Sequence, residues 1–579
     1  MNREQLRTVI NSACDKLRRD GLGVQGYMEE ISWLLFLKAL ERTDLANKEL
    51  AEYGSVPYEP IIPEAFEWSR WAAQPENTNE RLRNSPRYEG AELYAFLTKP
   101  DGLFSTLSKL SGTPERDSVA EIFSGLGRPR SIDGTNLYDV IGEINKLDFH
   151  SAQDMYALGT IYEELLQETG KAGGFAGEFY TPRPVVRFMV EMLDPKAGES
   201  IYDGAMGTGG FLISAFEHMI PREGVQAQGS QREKVKGTFY GVEKNPQTYL
   251  LGRMNMLLHG VPEPIIKREN TLEKHLELAK DKRDVILANP PFGGKEHARL
   301  SSNFSHETAA TEVLFMQHFM RALKDGGRAA VVTPNGFLFG DGTAAKVKLD
   351  LLEEYNLHTI VRLPNGVFAP YTSIPTNLLF FERGKPTETI WYYQLPLPEG
   401  RKNFTKTKPI QNEDFSAVRA WWEDREENAQ AWRYDFEGAV SQAEAAARPH
   451  QEAASQALLE ATTLLQQAEE LETALKPLTA LENMSPDEST QKEIADLRAR
   501  LEQNKKAEKA QRTLAGEETS KANALLWSVY NLDRKHPDSQ EDLEHLPPEE
   551  LVQSILAKEQ RIAEIMREIE AALGEPVAV

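Results

Sequence analysis

One stretch, Ser200-Ile201-Tyr202-Asp203-Gly204-Ala205-Met206-Gly207-Thr208-Gly209-Gly210-Phe211-Leu212, constrains the fold of this chain more than any other. A short apolar run ends in an acid, passes through four glycines and re-enters an apolar run. This pattern reads as strand, loop and helix, the opening unit of a doubly wound α/β sheet. Glycines at such a turn let a ligand approach the backbone closely. Two common loops are excluded. There is no G-x-G-x-x-G, and no lysine follows the glycines as a phosphate loop requires. Asp203, at the strand end, suits the ammonium group of an amino-acid-like ligand. The next expected strand, Thr238 to Val242, ends in Glu243, and a carboxylate there can accept from ribose hydroxyls.

Strand and helix signals alternate from 151 to 395, which implies one α/β sheet. Helices are expected over Met155 to Leu166, after Tyr180-Thr181-Pro182 with Pro184 in the first turn, from Pro246 to His259, over Thr311 to Leu323 and over Thr343 to Tyr355. Strands are expected over Val285 to Ala288, Arg328 to Thr333, Thr359 to Leu363 and Asn377 to Glu382, with an antiparallel pair ending the sheet.

The strand Val285-Ile286-Leu287-Ala288 runs into Asn289-Pro290-Pro291-Phe292. Prolines often end strands, so a plain strand-to-turn junction is one reading. The other is chemical. The lone pair of a nucleobase exocyclic amine is delocalised into the ring, so the amine is a poor nucleophile. The side-chain oxygen of Asn289 and the carbonyl of Pro290 can accept its two hydrogens and draw the nitrogen toward sp3 geometry. The proline pair fixes φ and offers no N–H, which keeps its carbonyls free as acceptors. Phe292 supplies a ring for stacking. Glycine loop, ribose acid and Asn-Pro-Pro-Phe, in that order, point to methyl transfer onto a planar amine.

These residues resemble the modification subunit of type I restriction–modification enzymes, a family of S-adenosylmethionine-dependent adenine-N6 DNA methyltransferases. The resemblance rests on Gly177-Glu178-Phe179-Tyr180-Thr181-Pro182-Arg183, on Asp203 to Leu212 and on Asn289 to Gly293, and spans most of 150–385. A weaker echo is Tyr530-Asn531-Leu532-Asp533-Arg534-Lys535-His536-Pro537. The resemblance implies a Rossmann-like methyltransferase sheet with an N-terminal helical domain and a C-terminal helical, coiled-coil region. It implies catalytic roles for Asn289, Pro290, Pro291 and Phe292. It implies S-adenosylmethionine contacts from Glu178, Phe179, Tyr180, Thr181, Pro182 and Arg183, from Asp203, Ala205, Gly207, Thr208, Gly209 and Gly210, and from Glu243 and Asn270. Two departures stand out. The family loop usually reads Asp-Pro-Ala-Cys-Gly-Thr-Gly-Gly, and here Gly204 and Met206 replace the proline and the cysteine. The acid usually found after the third strand corresponds to Asn270. The implied partners are double-stranded DNA, a DNA specificity subunit, a second copy of this chain and an ATP-driven restriction subunit.

Charge bears on how DNA would be held. The chain has 89 acids and 66 bases, a formal net charge of −23. Phosphate contacts need Lys and Arg, so either a local basic face exists or a partner supplies most of the DNA affinity. Residues 441–579 alone hold 27 acids against 15 bases. Cys14 is the only cysteine, which excludes an internal disulfide framework and a cysteine-cluster metal site. The histidines show no zinc spacing, and no metal is assigned. No run reaches the length of a membrane span and the first residues lack a signal-peptide pattern, so a cytoplasmic location is expected.

The expected organisation has five parts: helices over 1–150, the methyltransferase sheet over 151–395, a transition over 396–439, a helical hairpin over 440–526 and a partner-docking helix over 527–579. Within the first part Tyr27 to Arg42 is a strongly apolar helix, and Phe66, Trp68 and Trp71 form a cluster read as packing, with base stacking as the alternative. In the hairpin, Ala457, Ala461, Leu464, Ala468, Leu471, Leu475 and Leu478 recur at alternating four- and three-residue steps, a coiled-coil seam closed by Pro477 and the segment after Asn483. The seam fits packing within the chain and packing on a partner equally. Leu551, Ile555, Lys558, Ile562, Ile565, Ile569 and Ala572 repeat the pattern in the last helix, where a partner is favoured. Rival functions are a protein-glutamine methyltransferase, a cytosine-N4 methyltransferase and a non-catalytic scaffold with a decayed pocket.

Overall fold

The computed structural model describes residues 3–53, 58–131, 134–147, 159, 162, 181–220, 233–273, 281–369, 371–482 and 487–538. The expected helix over Met155 to Leu166, apart from Gly159 and Tyr162, lies outside the described residues, as does the last helix from Leu551 to Ala572. Residues up to Arg534 form one compact unit.

Among the described residues one nine-stranded sheet organises that unit. Its strands are β1 (Ile201–Asp203), β2 (Phe239–Glu243), β3 (Ile265–Arg268), β4 (Arg283–Ala288), β5 (Leu323–Pro334), β6 (Tyr355–Arg362), β7 (Thr376–Arg383), β8 (Thr389–Gln394) and β9 (Ala431–Asp435). They lie in the order β3-β2-β1-β4-β5-β7-β6-β8-β9. The first five are parallel, and the expected antiparallel element is β7, inserted between β5 and β6. β8 and β9 extend the sheet, the first parallel to β6 and the second antiparallel to β8. β9 comes from the stretch 396–439 read as a transition; its Ala431 and Trp432 are buried, and Trp432 stacks on Tyr392 at 5.2 Å.

The alternation of side chains along a strand splits the core between the two faces. Val285, Leu287, Ala330, Val332, Leu378 and Phe380 belong to one apolar cluster, and Ile286, Ala288, Ala329, Val331, Leu379 and Phe381 to the other. The amphipathic helix Arg183–Leu193 covers the first face with Val185, Val186, Phe188 and Met189. Proline at its start and Asp194 in the left-handed region at its end fix its limits. Thr311–Ala322 and Thr343–Glu354 cover the second face.

The N-terminal helices share the first core. Val24–Tyr53 buries Ile31, Trp33, Leu34, Leu35, Phe36 and Leu37. Trp68 and Trp71 are buried edge-to-face at 5.3 Å, so this aromatic cluster packs. The helices meet the sheet through Pro246–Leu258: Arg253 donates to Ser118 at 2.9 Å and pairs with Glu121, and a Cβ on Gly125 would strike Leu250.

After β9 come two long helices, Phe436–Glu482 and Glu488–Ser528. They pack on each other. Ala457, Ala461, Ala468, Ile494, Ala515 and Ala522 are buried along the seam, and Gln511 donates to Glu460 at 2.8 Å across it. Small residues let the helices approach closely. Pro477 does not close the first helix as expected; the helix continues to Glu482, with Leu475 and Leu478 half-buried in the seam on either side. The chain then returns to the sheet. Tyr392 donates to the Leu532 carbonyl at 3.0 Å, Leu532 N–H to Leu338 at 2.9 Å, and Arg362 pairs with Asp533 at 2.5 Å.

Candidate active site

The strand order reverses between β1 and β4, and a crevice opens there at the carboxyl ends of the strands. The glycine loop follows β1 and Asn289-Pro290-Pro291-Phe292 follows β4, so the fold brings together two segments about 85 residues apart in sequence, as a doubly wound sheet does with consecutive loops. The cleft measures about 490 Å³ and is lined by Gly204, Ala205, Gly207, Val242, Glu243, Lys244, Asn245, Pro246, Asn270, Thr271, Asn289, Pro291, Glu296 and Phe315.

The loop is held from three sides. Gly207 and Gly209 adopt φ of 55° and 83°, a region that favours glycine. Asn255, fully buried on the helix behind, donates to the Thr208 carbonyl at 2.9 Å. Glu243 accepts from Gly207 N–H at 3.0 Å and from Asn245 N–H at 2.7 Å, which ties the loop to the turn after β2. Asn245 also caps the next helix, accepting from Gln247 and Thr248, with Pro246 at its first position as expected. On the far side, a Cβ on Gly210 would lie 2.4 Å from the Arg183 guanidinium, so Arg183 rests on the start of the loop's helix.

Both departures from the family loop are packed. A Cβ on Gly204 would meet the Tyr202 hydroxyl at 2.8 Å and Phe319 at 3.0 Å. The Tyr202 hydroxyl is itself bonded to His318 Nε2 at 2.9 Å. Met206 is buried, and its sulfur occupies the space that a side chain on Gly241 would need. Asn270 lines the cleft and turns its Oδ1 onto Leu272 N–H at 3.1 Å, while Thr271 donates to the Gly204 carbonyl at 2.5 Å.

Asp203 is 1% exposed and lies behind the cleft wall, accepting from Ala205 N–H at 3.0 Å. Burial pushes its carboxyl up to about 8; the Ala205 hydrogen bond opposes this and the nearby Glu243 charge adds to it. Among the described residues no cation offsets this burial, and a cationic ligand would favour the charged carboxylate.

Asn289 is 7% exposed. Its Nδ2 donates to Thr181 Oγ1 at 2.9 Å, and its buried Oδ1 has no hydrogen-bond partner among the described residues. An orphaned buried acceptor is costly and calls for an explanation in a folded chain. A ligand amine would satisfy it. Pro290 is buried and Pro291 faces the cleft. Phe292 is 8% exposed, outside the cleft lining, and packs edge-to-face on Phe368 at 6.3 Å.

Of the residues singled out in the sequence, the cleft therefore collects Ala205, Gly207, Glu243, Asn270, Asn289 and Pro291. Thr208, Gly209, Gly210 and Arg183 support it from behind or beside, and Pro182 stands at the N-cap of the helix Arg183–Leu193. Thr181 touches Asn289. Glu178, Phe179 and Tyr180 lie outside the described residues. Sequence reasoning missed Asn245, Glu296 and Phe315. Asn245 was accessible as the cap before Pro246. Glu296 reaches the cleft through a bridge between Lys295 and Ala310 that no local pattern announces.

Comparison with known proteins agrees with this geometry. Residues 153–456 match the family described as N-6 DNA Methylase, and residues 6–92 match the HsdM N-terminal domain. The type I restriction enzyme EcoEI methylase subunit of Escherichia coli is 42% identical over 453 residues, 75% of this chain and 88% of that protein. The EcoKI methylase subunit of E. coli K12 is 30% identical over 73% of this chain and 77% of its own length. A crystal structure of a modification subunit of a putative type I restriction enzyme from Vibrio vulnificus superposes with a TM-score of 0.68 at 42% identity, covering 76% of this chain and 93% of that one. A chain from a structure of type I R-M complex assembly and conformational transition gives 0.65 at 34% identity and covers 99% of both. The chain belongs to the N-6 DNA methylase family, among the methylase subunits of type I restriction enzymes.

Proposed function

We propose that this adenine-N6 DNA methyltransferase subunit works by presenting Asn289 Oδ1 to the amine of an adenine flipped out of duplex DNA. The observation that carries this is the buried, unpartnered Oδ1 beside an amide nitrogen already bonded to Thr181. Asn289 Oδ1 and the Pro290 carbonyl would accept the two amine hydrogens and localise the lone pair on N6. The amine gains acidity as it reacts, so its proton can leave afterward without a strong base. Catalysis is then mostly alignment and preorganised acceptors. A base inside a duplex cannot reach the cleft and must leave the stack. Phe292 and Phe368 would form the apolar wall beside it.

The residues present fit S-adenosylmethionine. The cleft sits at the glycine loop; Glu243 at the end of β2 would accept from ribose hydroxyls and Asn270 would meet adenine. Asp203 and the loop, with Thr181 to Arg183, flank the end where the amino-acid part would lie. When bound, the cofactor supplies an electrophilic methyl group. The chain's own part is to hold the loop open with Gly207 and Gly209, to orient Asn289 and to shield the site from water.

The partners proposed are double-stranded DNA, a specificity subunit that reads the target, a second copy of this chain and an ATP-dependent restriction subunit, in the cytoplasm. The similarity to a chain from a structure of type I R-M complex assembly, over 99% of this chain, supports this reading. Among the described residues no helix is long and apolar enough to cross a membrane. We further propose that the sequence seam from Leu551 to Ala572 docks the specificity subunit. Replacing Ile562 and Ile565 with Asp should release that partner while cofactor binding stays intact.

The test is mass spectrometry of DNA from cells carrying the chain with its neighbouring genes. The expected product is N6-methyladenine that disappears with Asn289→Ala. N4-methylcytosine, or methylated protein glutamine with unmodified DNA, would overturn the assignment.

A further inference from the structure

Although the chain carries a formal charge of −23, the residues from Gly400 to Gln411 hold Arg401, Lys402, Lys406 and Lys408 and no acid. Lys402, Lys406 and Lys408 are exposed and Arg401 is half-buried against Phe404. None of the four pairs with a described carboxylate. The loop leaves β8 at the carboxyl edge of the sheet, the edge that carries the cleft. It is pinned there. Phe404 is 1% exposed, and its N–H donates to the Asn365 carbonyl at 3.0 Å. Gly366, at φ 81°, has no room for a Cβ, which would fall 2.0 Å from the Phe404 carbonyl. Two residues on, Phe368 packs on Phe292. The cations are thus mounted two packed contacts from Asn289-Pro290-Pro291-Phe292.

We infer that Gly400–Lys408 grips the phosphate backbone of duplex DNA beside the base being methylated. This rests on the DNA methyltransferase reading above. Phosphates are recognised by exposed Lys and Arg and by hydroxyl donors, and such contacts set register without reading sequence. The loop offers both, since Thr405 and Thr407 stand 3.2 Å apart between the lysines. A rigid anchor matters as much as charge: Phe404 fixes the height of the cations relative to the cleft, so a bound backbone would present one nucleotide to Asn289. This is also how an acidic chain can hold a polyanion, through a local run of bases that contains no acid.

The experiment uses the full chain in its native complex and a duplex oligonucleotide of unrelated sequence. The triple variant Lys402→Ala, Lys406→Ala, Lys408→Ala should bind about tenfold or more weakly at low salt. The slope of log affinity against log salt should shrink by roughly one per lost contact. Cofactor binding, and methylation of cognate DNA at saturation, should persist. A control variant, Lys196→Ala, Lys282→Ala, Lys385→Ala, removes the same charge at the opposite edge of the sheet and should bind DNA as the parent does. An unchanged slope in the loop variant, or equal losses in both variants, overturns the proposal. So does release of a protein subunit with DNA binding intact, which would make the loop's partner an acidic protein surface. Failure of the parent complex to methylate any DNA would instead sink the functional reading, and the binding slopes are measured independently of methyl transfer.

Discussion

The two edges of the sheet obey different rules. At the amino edge one group of charged and polar side chains is paired among its own members. Asp284 accepts from Ser200 N–H, Ser200 Oγ and Lys324 at 2.9, 2.6 and 2.7 Å. Arg328 binds Glu199 through its two terminal guanidinium nitrogens at 2.8 Å and donates to the Leu193 and Asp194 carbonyls, closing the end of helix Arg183–Leu193. At the carboxyl edge, among the described residues, Asn289 Oδ1 has no hydrogen-bond partner and Asp203 is buried with no cation beside it, and the backbone turns through Gly207 and Gly209 at positive φ. One edge is built for stability. The other leaves its polar groups unsatisfied, as sites that await ligands do.

If that division is right, substitutions at the carboxyl edge should cost activity with little stability, and those at the amino edge the reverse. The largest effect is expected from Asn289→Ala, a loss in single-turnover methyl transfer on the order of a hundredfold or more, by analogy with loss of one preorganised hydrogen bond. Its melting temperature should hold or rise, because a buried orphan acceptor is removed. Near-normal turnover would take Asn289 out of the mechanism. Gly209→Val comes next. Its φ of 83° is strained for valine, and a Cβ would press on Met256 at 3.1 Å. Calorimetry should show cofactor affinity reduced tenfold or more in the folded variant; unchanged affinity would mean the loop does not hold the cofactor.

How much of this contrast was legible beforehand differs by edge. The glycine loop, Glu243, Asn289 and the helix opened by Pro246 follow from local chemistry, since each residue type is needed where it stands. Four of the five parallel strands follow from the alternation of strand and helix signals; the short β3, exposed at Ile265, Lys267 and Arg268, was not among them. The insertion of β7 between β5 and β6, and the addition of β9 from a segment rich in Pro, Asn and Trp, depend on pairing between distant strands, for which local pattern carries no signal. The same is true of the Thr181–Asn289 bond, whose partners are 108 residues apart. The hairpin seam was legible as a seam, and its partner was not, because a heptad pattern is the same within a chain and between chains.

The amino edge should break through stability. Arg328→Ala removes the two-pronged pair with Glu199 and uncaps two helix carbonyls, a loss of about 2 kcal/mol given that the pair is only partly buried. Cofactor affinity should stay within twofold. The edges also carry opposite pH signs. Burial raises the Glu199 carboxyl, but its hydrogen bonds from Arg328 and Lys196 N–H outweigh this and hold it below the usual value. A depressed carboxyl contributes stability above its unfolded pKa and loses it as pH falls through the folded value, so acid should loosen this edge. Asp203, raised to about 8, behaves oppositely: its contribution is present at low pH and fades as pH rises through 8. A cationic ligand that draws Asp203 into its charged form must therefore release a proton near neutral pH. Calorimetry in buffers of different ionisation enthalpy should detect the release in the parent and not in Asp203→Asn.

The smallest expected effect discriminates most finely, because it separates orienting Asn289 from binding cofactor. Thr181 lies in the segment that family resemblance assigns to the cofactor, yet its hydroxyl bonds the Asn289 amide at 2.9 Å. With Nδ2 so engaged, Oδ1 is left as the free acceptor; without the hydroxyl the amide can rotate and offer N–H to an amine that needs an acceptor. Thr181→Val keeps the shape and deletes the bond. If the hydroxyl orients Asn289, Val should lower the chemical step about tenfold with cofactor affinity unchanged, and Thr181→Ser, which restores a hydroxyl, should recover most of the rate. If Thr181 serves the cofactor instead, Val should weaken cofactor binding and leave the rate at saturation intact. A variant unaffected in both would show that the Thr181–Asn289 bond is incidental, and that the carboxyl edge holds its acceptor in place by packing around Pro290 and Pro291.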